Sequence, residues 1–268
     1  MNTKYKTLIF LTGLTFSFTA CNITDTIPED AITDLNYWKK VEDLRQYANG
    51  FYTTLSKPSQ WYDNTSDNCV TNSPDNRLFN NMTVPGSGGG WESKNWTNIR
   101  NINYFLQRYQ SVEGDSKEIN QYVGEMRFFR AHEYFNKVKT FGDVPWIDKD
   151  LTTTDEDILM KPRDPRKLVI DKIIEDIEFA AAHLKEASEL EKGRLNKYSA
   201  MQFLARVALY EGTYMKYRNI AGWQSYLEKA ADVSDQIINS NKYAIVKGDA
   251  PHMFEGYLPK IGRASCRE

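Results

Sequence analysis

The sequence is poor in the residues that build metal and nucleophile sites. Its 268 residues hold three cysteines, Cys21, Cys69 and Cys266, and three histidines, His132, His183 and His252, all in separate segments. A zinc site needs Cys or His at short fixed spacings, so none is expected. No Gly-x-Ser-x-Gly elbow appears, which removes the common hydrolase signature. The glycine-rich run at 86–90 lacks the Gly-Lys-Ser/Thr ending of a phosphate loop and reads as a hinge or loop tip. Asp155, Glu156 and Asp157 are adjacent in a loop, and adjacent side chains do not flank a sugar bond as a glycosidase pair must. Neither sign of charge dominates: 34 basic residues stand against 36 acidic, and a net charge of -2 gives no reason to expect nucleic acid as a partner. Sustained β alternation is missing too. What remains is a chain with no catalytic, metal or cofactor site in view.

Aromatic residues, by contrast, are plentiful. They make up 13% of the chain, with 16 Tyr and 6 Trp, more than a core is expected to absorb, so some rings should face a ligand. The N-terminus runs MNTKYKTLIFLTGLTFSFTAC, a basic start followed by an uncharged stretch from Thr7 to Ala20. That stretch is shorter than the ~20 apolar residues of a membrane span and reads as a secretory signal over 1–20. Cys21 stands where a bacterial lipobox places its acylated cysteine, although Phe18 occupies a position usually held by leucine. The alternative is an ordinary signal cut nearby, with Cys21 an incidental thiol. Residues 21–34, short and polar with Pro28, read as a tether. The last eight residues, IGRASCRE, match one reading frame of a common sequencing adapter; 261–268 are expected to be artefact and the chain a truncated gene. Only Cys69 is then left, and no disulfide framework follows.

Between these ends, 35–260 read as one mainly helical domain. Helical patterning starts near Asn36, with Asp34 as its cap, and runs to about Leu55. A second helix is expected over Asn95–Tyr109, and a third over Lys117–Thr140 after the break Gly114-Asp115-Ser116. In the third, Gly124, Phe128, Ala131, Phe135 and Val138 form one stripe. Gly142 and Pro145 should end it and direct the chain outward. Further stripes come after it: Ile170, Ile173, Ile177, Ala181 and Leu184; then Phe203, Val207, Tyr210 and Tyr214; then Tyr226, Ala230, Val233 and Ile237. Short-linked amphipathic helices of this length point to stacked helical hairpins of tetratricopeptide-like type, with long irregular loops. Arg127, Arg130, His132 and Glu133 lie on the striped third helix and are expected to pair with neighbours as scaffold.

Arg127-Phe128-Phe129-Arg130-Ala131 through Tyr134-Phe135 to Phe141-Gly142-Asp143-Val144-Pro145 resembles the most characteristic segment of the SusD/RagB family, surface glycan-binding lipoproteins of Bacteroidetes. Other pieces occur in matching order: Asn36-Tyr37-Trp38, Ala48 to Tyr52, Trp96 to Leu106, Ile173 to Ile177, and Gly193-Arg194-Leu195-Asn196-Lys197. The resemblance implies a non-enzymatic protein, lipid-anchored through Cys21 in the outer membrane and facing outward. It also implies capture of oligosaccharides for a SusC-like TonB-dependent transporter. Family members are longer, so this chain corresponds to their N-terminal portion. In the same light, Asp25-Thr26-Ile27 resembles a short O-glycosylation signal.

The loop 56–94 is where a glycan site is expected. A pyranose offers an apolar C–H face and a rim of hydroxyls, which call for aromatic planes beside amides and charges. The loop holds both, and Trp61, Tyr62, Asp67, Arg77, Asn81 and Trp91 are the candidate ligand residues. Trp91 has a second reading, as a cap over the helix that starts near Asn95, and Trp96 is expected in the core. The competing function is a helical-repeat module that binds a protein or peptide.

Overall fold

The computed structural model describes residues 37–55, 76, 81 and 88–244. Contacts divide the chain into Met1–Tyr37 and Trp38–Glu268. Apart from Tyr37 the first unit lies outside the described residues, and with it the signal, Cys21 and the tether. The helices all belong to the second unit.

The described residues contain seven α-helices and, in place of strands, two isolated bridges. They are α1 Val41–Asn49, α2 Thr97–Arg108, α3 Ser116–Phe141, α4 Glu156–Leu159, α5 Arg166–His183, α6 Lys197–Tyr217 and α7 Trp223–Asn239. None is long and apolar enough to cross a membrane. Local chemistry sets the ends. The Asp115 carboxylate accepts the Lys117 N–H at 2.6 Å and starts α3; Asn196 does the same for Tyr198 and Ser199 at α6. Gly142, at φ 73°, closes α3 in a backbone region that disfavours side chains. The helix expected over 36–55 is shorter in the structure: Gly50 follows α1, and the chain tightens into a 3-10 turn over Gly50–Thr54.

Cross-helix pairs show the stacking. Asn98 meets Glu133 and Asn103 meets Arg130 between α2 and α3. Arg130 meets Asp176 and the Val138 carbonyl meets Arg166 between α3 and α5. Arg166 meets Glu211 between α5 and α6. In the first two packings numbers rise along one helix as they fall along the other, so the pairs are antiparallel hairpins in series. At α6–α7 the approach is so close that a Cβ on Gly212 would lie 2.5 Å from Leu227 Cδ2 and 3.1 Å from its backbone nitrogen. Only glycine fits there.

Helix α3 is the axis of the stack. Fourteen of its 26 residues are buried, including the unbroken run from Gln121 to Met126, so it is enclosed on several sides rather than along one stripe. Its predicted stripe is buried throughout. On α6 the predicted line is partly displaced: Val207 is buried, but Phe203, Tyr210 and Tyr214 are half-buried. The deeper line is Leu204, Ala208, Glu211 and Met215. The half-buried aromatics turn toward α3, with Phe203 5.1 Å from Phe128 and Tyr210 5.3 Å from Phe135 between ring centres.

Enclosure forces the polar residues of α3 and its neighbours into pairs, because a buried unpaired charge is expensive. Three arginines supply the pairing. Arg130 grips Asp176 through two bonds of 2.6 and 2.8 Å and gives a third to Asn103 at 3.1 Å. Arg166 grips Glu211 at 2.6–3.1 Å and donates to the Val138 carbonyl at 3.2 Å. Arg194 reaches both oxygens of Glu125 at 2.9 Å and Asn49 at 2.5 Å. Each clamp joins three segments of chain. Burial pushes the Glu125 carboxyl up from its ordinary range, while Gln121 and Arg194 pull it back.

The segment after Gly142 departs from expectation. It does not run outward: Val144 and Trp146 are buried. Ile147 donates to the Tyr134 hydroxyl at 2.7 Å and accepts from Asn103 at 2.8 Å. The chain is folded back over α2 and α3 because these polar groups need backbone partners, and Trp146 lies 4.3 Å from Tyr134 between ring centres.

Candidate ligand-binding face

Of the predicted ligand residues, Trp61, Tyr62, Asp67 and Arg77 lie outside the described residues. Asn81 is exposed, and its N–H donates to the Asn76 carbonyl at 3.0 Å. Trp91 sits in a defined setting. Gly88, Gly89 and Gly90 all have positive φ (79°, 64° and 94°) and form the turn that delivers it; the Trp91 N–H closes the turn on the Gly88 carbonyl at 3.2 Å. A 3-10 turn over Ser93–Trp96 then leads into α2.

This chain path places two tryptophans together at the mouth of the loop. Trp91 meets Trp96 edge to face, with ring centres 5.3 Å apart, and Phe141 in the same way at 4.9 Å. Both indoles are half-buried. For Trp96, expected in the core, this is a correction: its ring meets that of Tyr134 edge to face at 6.4 Å and is left accessible because it stands in the 3-10 turn ahead of α2. Each ring carries a cation: Lys137 Nζ lies 4.2 Å from the centre of Trp96, and the Arg163 guanidinium 4.3 Å from that of Trp91. Burial lowers the pKa of Lys137, with Glu133 opposing the shift. Next to Trp96, Asn95 Oδ1 is buried without a hydrogen-bond partner among the described residues. Two touching indoles, each with a cation against it, therefore form one aromatic corner.

A second cleft, of about 280 Å³, opens beside the Arg130–Asp176 clamp. It differs in that its charges answer one another: Lys172 holds Glu175 at 2.8 Å, and Arg127 stands 3.8 Å from Asp176. The scaffold reading of α3 is consistent with this, since Arg130 is clamped and Glu133 accepts from Asn98 at 2.8 Å. Of the acidic run expected in a loop, Glu156 and Asp157 start α4, and Asp155, just before it, holds Lys149 and Thr152, its carboxyl lowered to about 2 by those bonds.

Sequence reasoning found Trp91 but not the partners around it. Lys137 and Arg163 are 26 residues apart, in a helix and a proline-rich loop, and no local pattern ties either to a tryptophan. Only the fold-back after Gly142 brings Arg163 within reach.

The comparisons with known proteins agree with one another. Residues 24–209 match the model of a SusD-like family described as "Starch-binding associating with outer membrane". SusD-like protein P38 of Formosa agariphila is 28% identical over 207 residues, 72% of this chain and 39% of the relative. SusD-like protein P2 of the same organism is 25% identical over 229 residues, 80% of this chain and 44% of the relative. The chain thus spans less than half the length of these relatives. A SusD-like protein of Bacteroides fragilis superposes with a TM-score of 0.67 at 27% identity, over 86% of this chain and 44% of its own. A second B. fragilis structure, of a SusD-like carbohydrate binding protein, has the same fold with a TM-score of 0.59 at 19% identity, over 78% of this chain and 42% of its own. With more than half of its length inside the family model and its helices in the same arrangement, the chain belongs to the SusD-like family.

Proposed function

We propose that this protein is the N-terminal portion of a non-enzymatic surface lipoprotein that binds oligosaccharides and passes them to a SusC-like TonB-dependent transporter. Cys21 would carry the lipid anchor, holding the protein on the outer membrane. The observation that carries the glycan reading is the half-exposed Trp91–Trp96 pair with the exposed Arg163 guanidinium beside it. Indole surface meets the C–H face of a sugar, and an exposed guanidinium donates to its hydroxyl oxygens. The starch-binding description of the family and the carbohydrate-binding relative in B. fragilis point the same way. Trp61, Tyr62, Asp67, Arg77 and Asn81 are assigned to the same ligand.

The test is affinity gel electrophoresis and calorimetry on a panel of soluble polysaccharides. Trp91→Ala should weaken binding on the order of tenfold, the scale of one stacked aromatic contact, with an unchanged helical circular-dichroism spectrum. Parental affinity in both Trp61→Ala and Trp91→Ala, each still folded, would remove this site.

A further inference from the structure

Charges drawn into this protein are otherwise answered in kind. The buried charged side chains of the described residues are Asp43, Glu125, Arg130, Lys137, Asp176 and Glu211. Asp43 accepts the Lys39 and Lys40 backbone N–H groups at 3.1 and 3.0 Å, and the others, except Lys137, belong to the three arginine clamps. Lys137 is 6% exposed, yet it has neither a hydrogen bond nor an ion pair among the described residues. Its nearest compensation is the face of Trp96 and the charge of Glu133. A lysine stem lying on an indole is ordinary packing. Ordinary packing does not explain the second cation: Arg163 lies on the adjoining indole, is exposed, and likewise has no carboxylate among the described residues. Arg166, three residues on, is fully engaged with Glu211.

Two cations on two touching tryptophans, neither gripped by a carboxylate among the described residues, make a local positive spot in a chain whose overall charge is -2. An aromatic platform reads the ring of a sugar; fixed cations beside it read an anionic substituent on that ring. We infer that the Trp91–Trp96 corner selects acidic saccharides, with the exposed Arg163 holding a carboxylate or sulfate group, Lys137 adding its charge from beneath Trp96, and the indoles holding the sugar. This rests on the glycan-binding reading above and narrows it to a substrate class. Arg163, with its planar fork, is suited to two-point contact with either group, and Lys137 acts as a point charge.

The test uses the full chain and four probes: oligogalacturonate, the same oligosaccharide after carboxyl reduction, a sulfated galactan oligosaccharide, and its desulfated form. Binding is measured by calorimetry at low and at high salt. At least one acidic probe should bind on the order of tenfold more tightly than its neutral counterpart, and added salt should weaken the acidic probe more. Which acidic probe shows the gap identifies carboxylate or sulfate as the group read. Arg163→Gln should collapse the gap and Arg163→Lys should restore part of it; because Arg163 is exposed, neither should disturb folding. Lys137→Met should act in the same direction, with circular dichroism as its folding control. Neutral and acidic probes bound equally well, or a gap untouched in Arg163→Gln, would overturn the selectivity and leave glycan binding standing. Binding of no saccharide from a wider neutral and acidic panel would overturn both.

Discussion

The two ends of α3 treat charge in opposite ways. Over its first two-thirds, Glu125 and Arg130 are buried and each is saturated, one by Arg194 and Gln121, the other by Asp176 and Asn103. In its last turns Lys137 is equally buried, and among the described residues it lies on an aromatic face with no hydrogen bond or ion pair. The first arrangement fixes three chain segments relative to one another. The second fixes nothing, since an ammonium over a ring lacks the directional bonds that hold a backbone in place. A scaffold needs closed sets of donors and acceptors; a binding corner needs some left open.

The contrast is tested hardest at the clamp. Arg130→Met leaves the Asp176 carboxylate in the interior without its hydrogen-bonded partner, Arg127 at 3.8 Å being the remaining cation, and frees the Asn103 Oδ1. Removing one partner of a buried pair typically destabilises by about 3–5 kcal/mol, and a loss of that size is expected in urea unfolding followed by circular dichroism. Asp176→Leu combined with Arg130→Met should recover most of it, because the stranded charge is gone. A loss below about 1 kcal/mol in the single variant would show that Arg130 is no structural clamp. The same change at the other end should behave differently. Lys137→Met keeps the stem on Trp96 and removes a charge that burial already disfavours, so stability should stay within about 1 kcal/mol of the parent or rise. A fall as deep as that of Arg130→Met would mean that Lys137 has a structural partner, and the contrast between the two ends would vanish.

Much of the scaffold was legible. The stripe on α3, the break at Gly114-Asp115-Ser116 and the stop at Gly142 are local signals, set by side-chain period and backbone conformation. The α6 stripe was only half legible for a physical reason. That helix is covered on one side by the rings of α3 and on another by α7 through Gly212, and a search for large apolar residues selects the ring side over the smaller, deeper line of Leu204 and Ala208. The clamps were not legible as pairs: Arg130 and Asp176 are 46 residues apart, and nothing local distinguishes Asp176 from an exposed carboxylate. The Trp91–Trp96 corner was legible only as Trp91. That Lys137 and Arg163 have no ion pair among the described residues is a property of where two distant segments end up, and composition reports just a near-neutral total.

Between the saturated and the open ends lies an intermediate case, His132. Its Nδ1 is buried with no hydrogen-bond partner among the described residues, and the ring lies 5.9 Å from Phe203. Unlike lysine, an imidazole escapes the penalty by staying neutral, and burial accordingly lowers its pKa below the ordinary 6.5, with Lys139 contributing in the same direction and Glu133 opposing. Between the folded-state pKa and 6.5 the unfolded chain binds a proton that the folded chain refuses, so stability falls as pH drops through that window and is flat with respect to this group above it. His132→Phe should remove this part of the acid sensitivity, which is measurable as a shallower drop in the urea midpoint between about pH 7 and pH 5. The effect is the smallest of the three, because one singly shifted imidazole titrates against a background of several carboxylates. An unchanged slope would show that His132 finds a partner for its proton in solution, and α3 would then have only one unsatisfied titratable group, the lysine beneath the tryptophan.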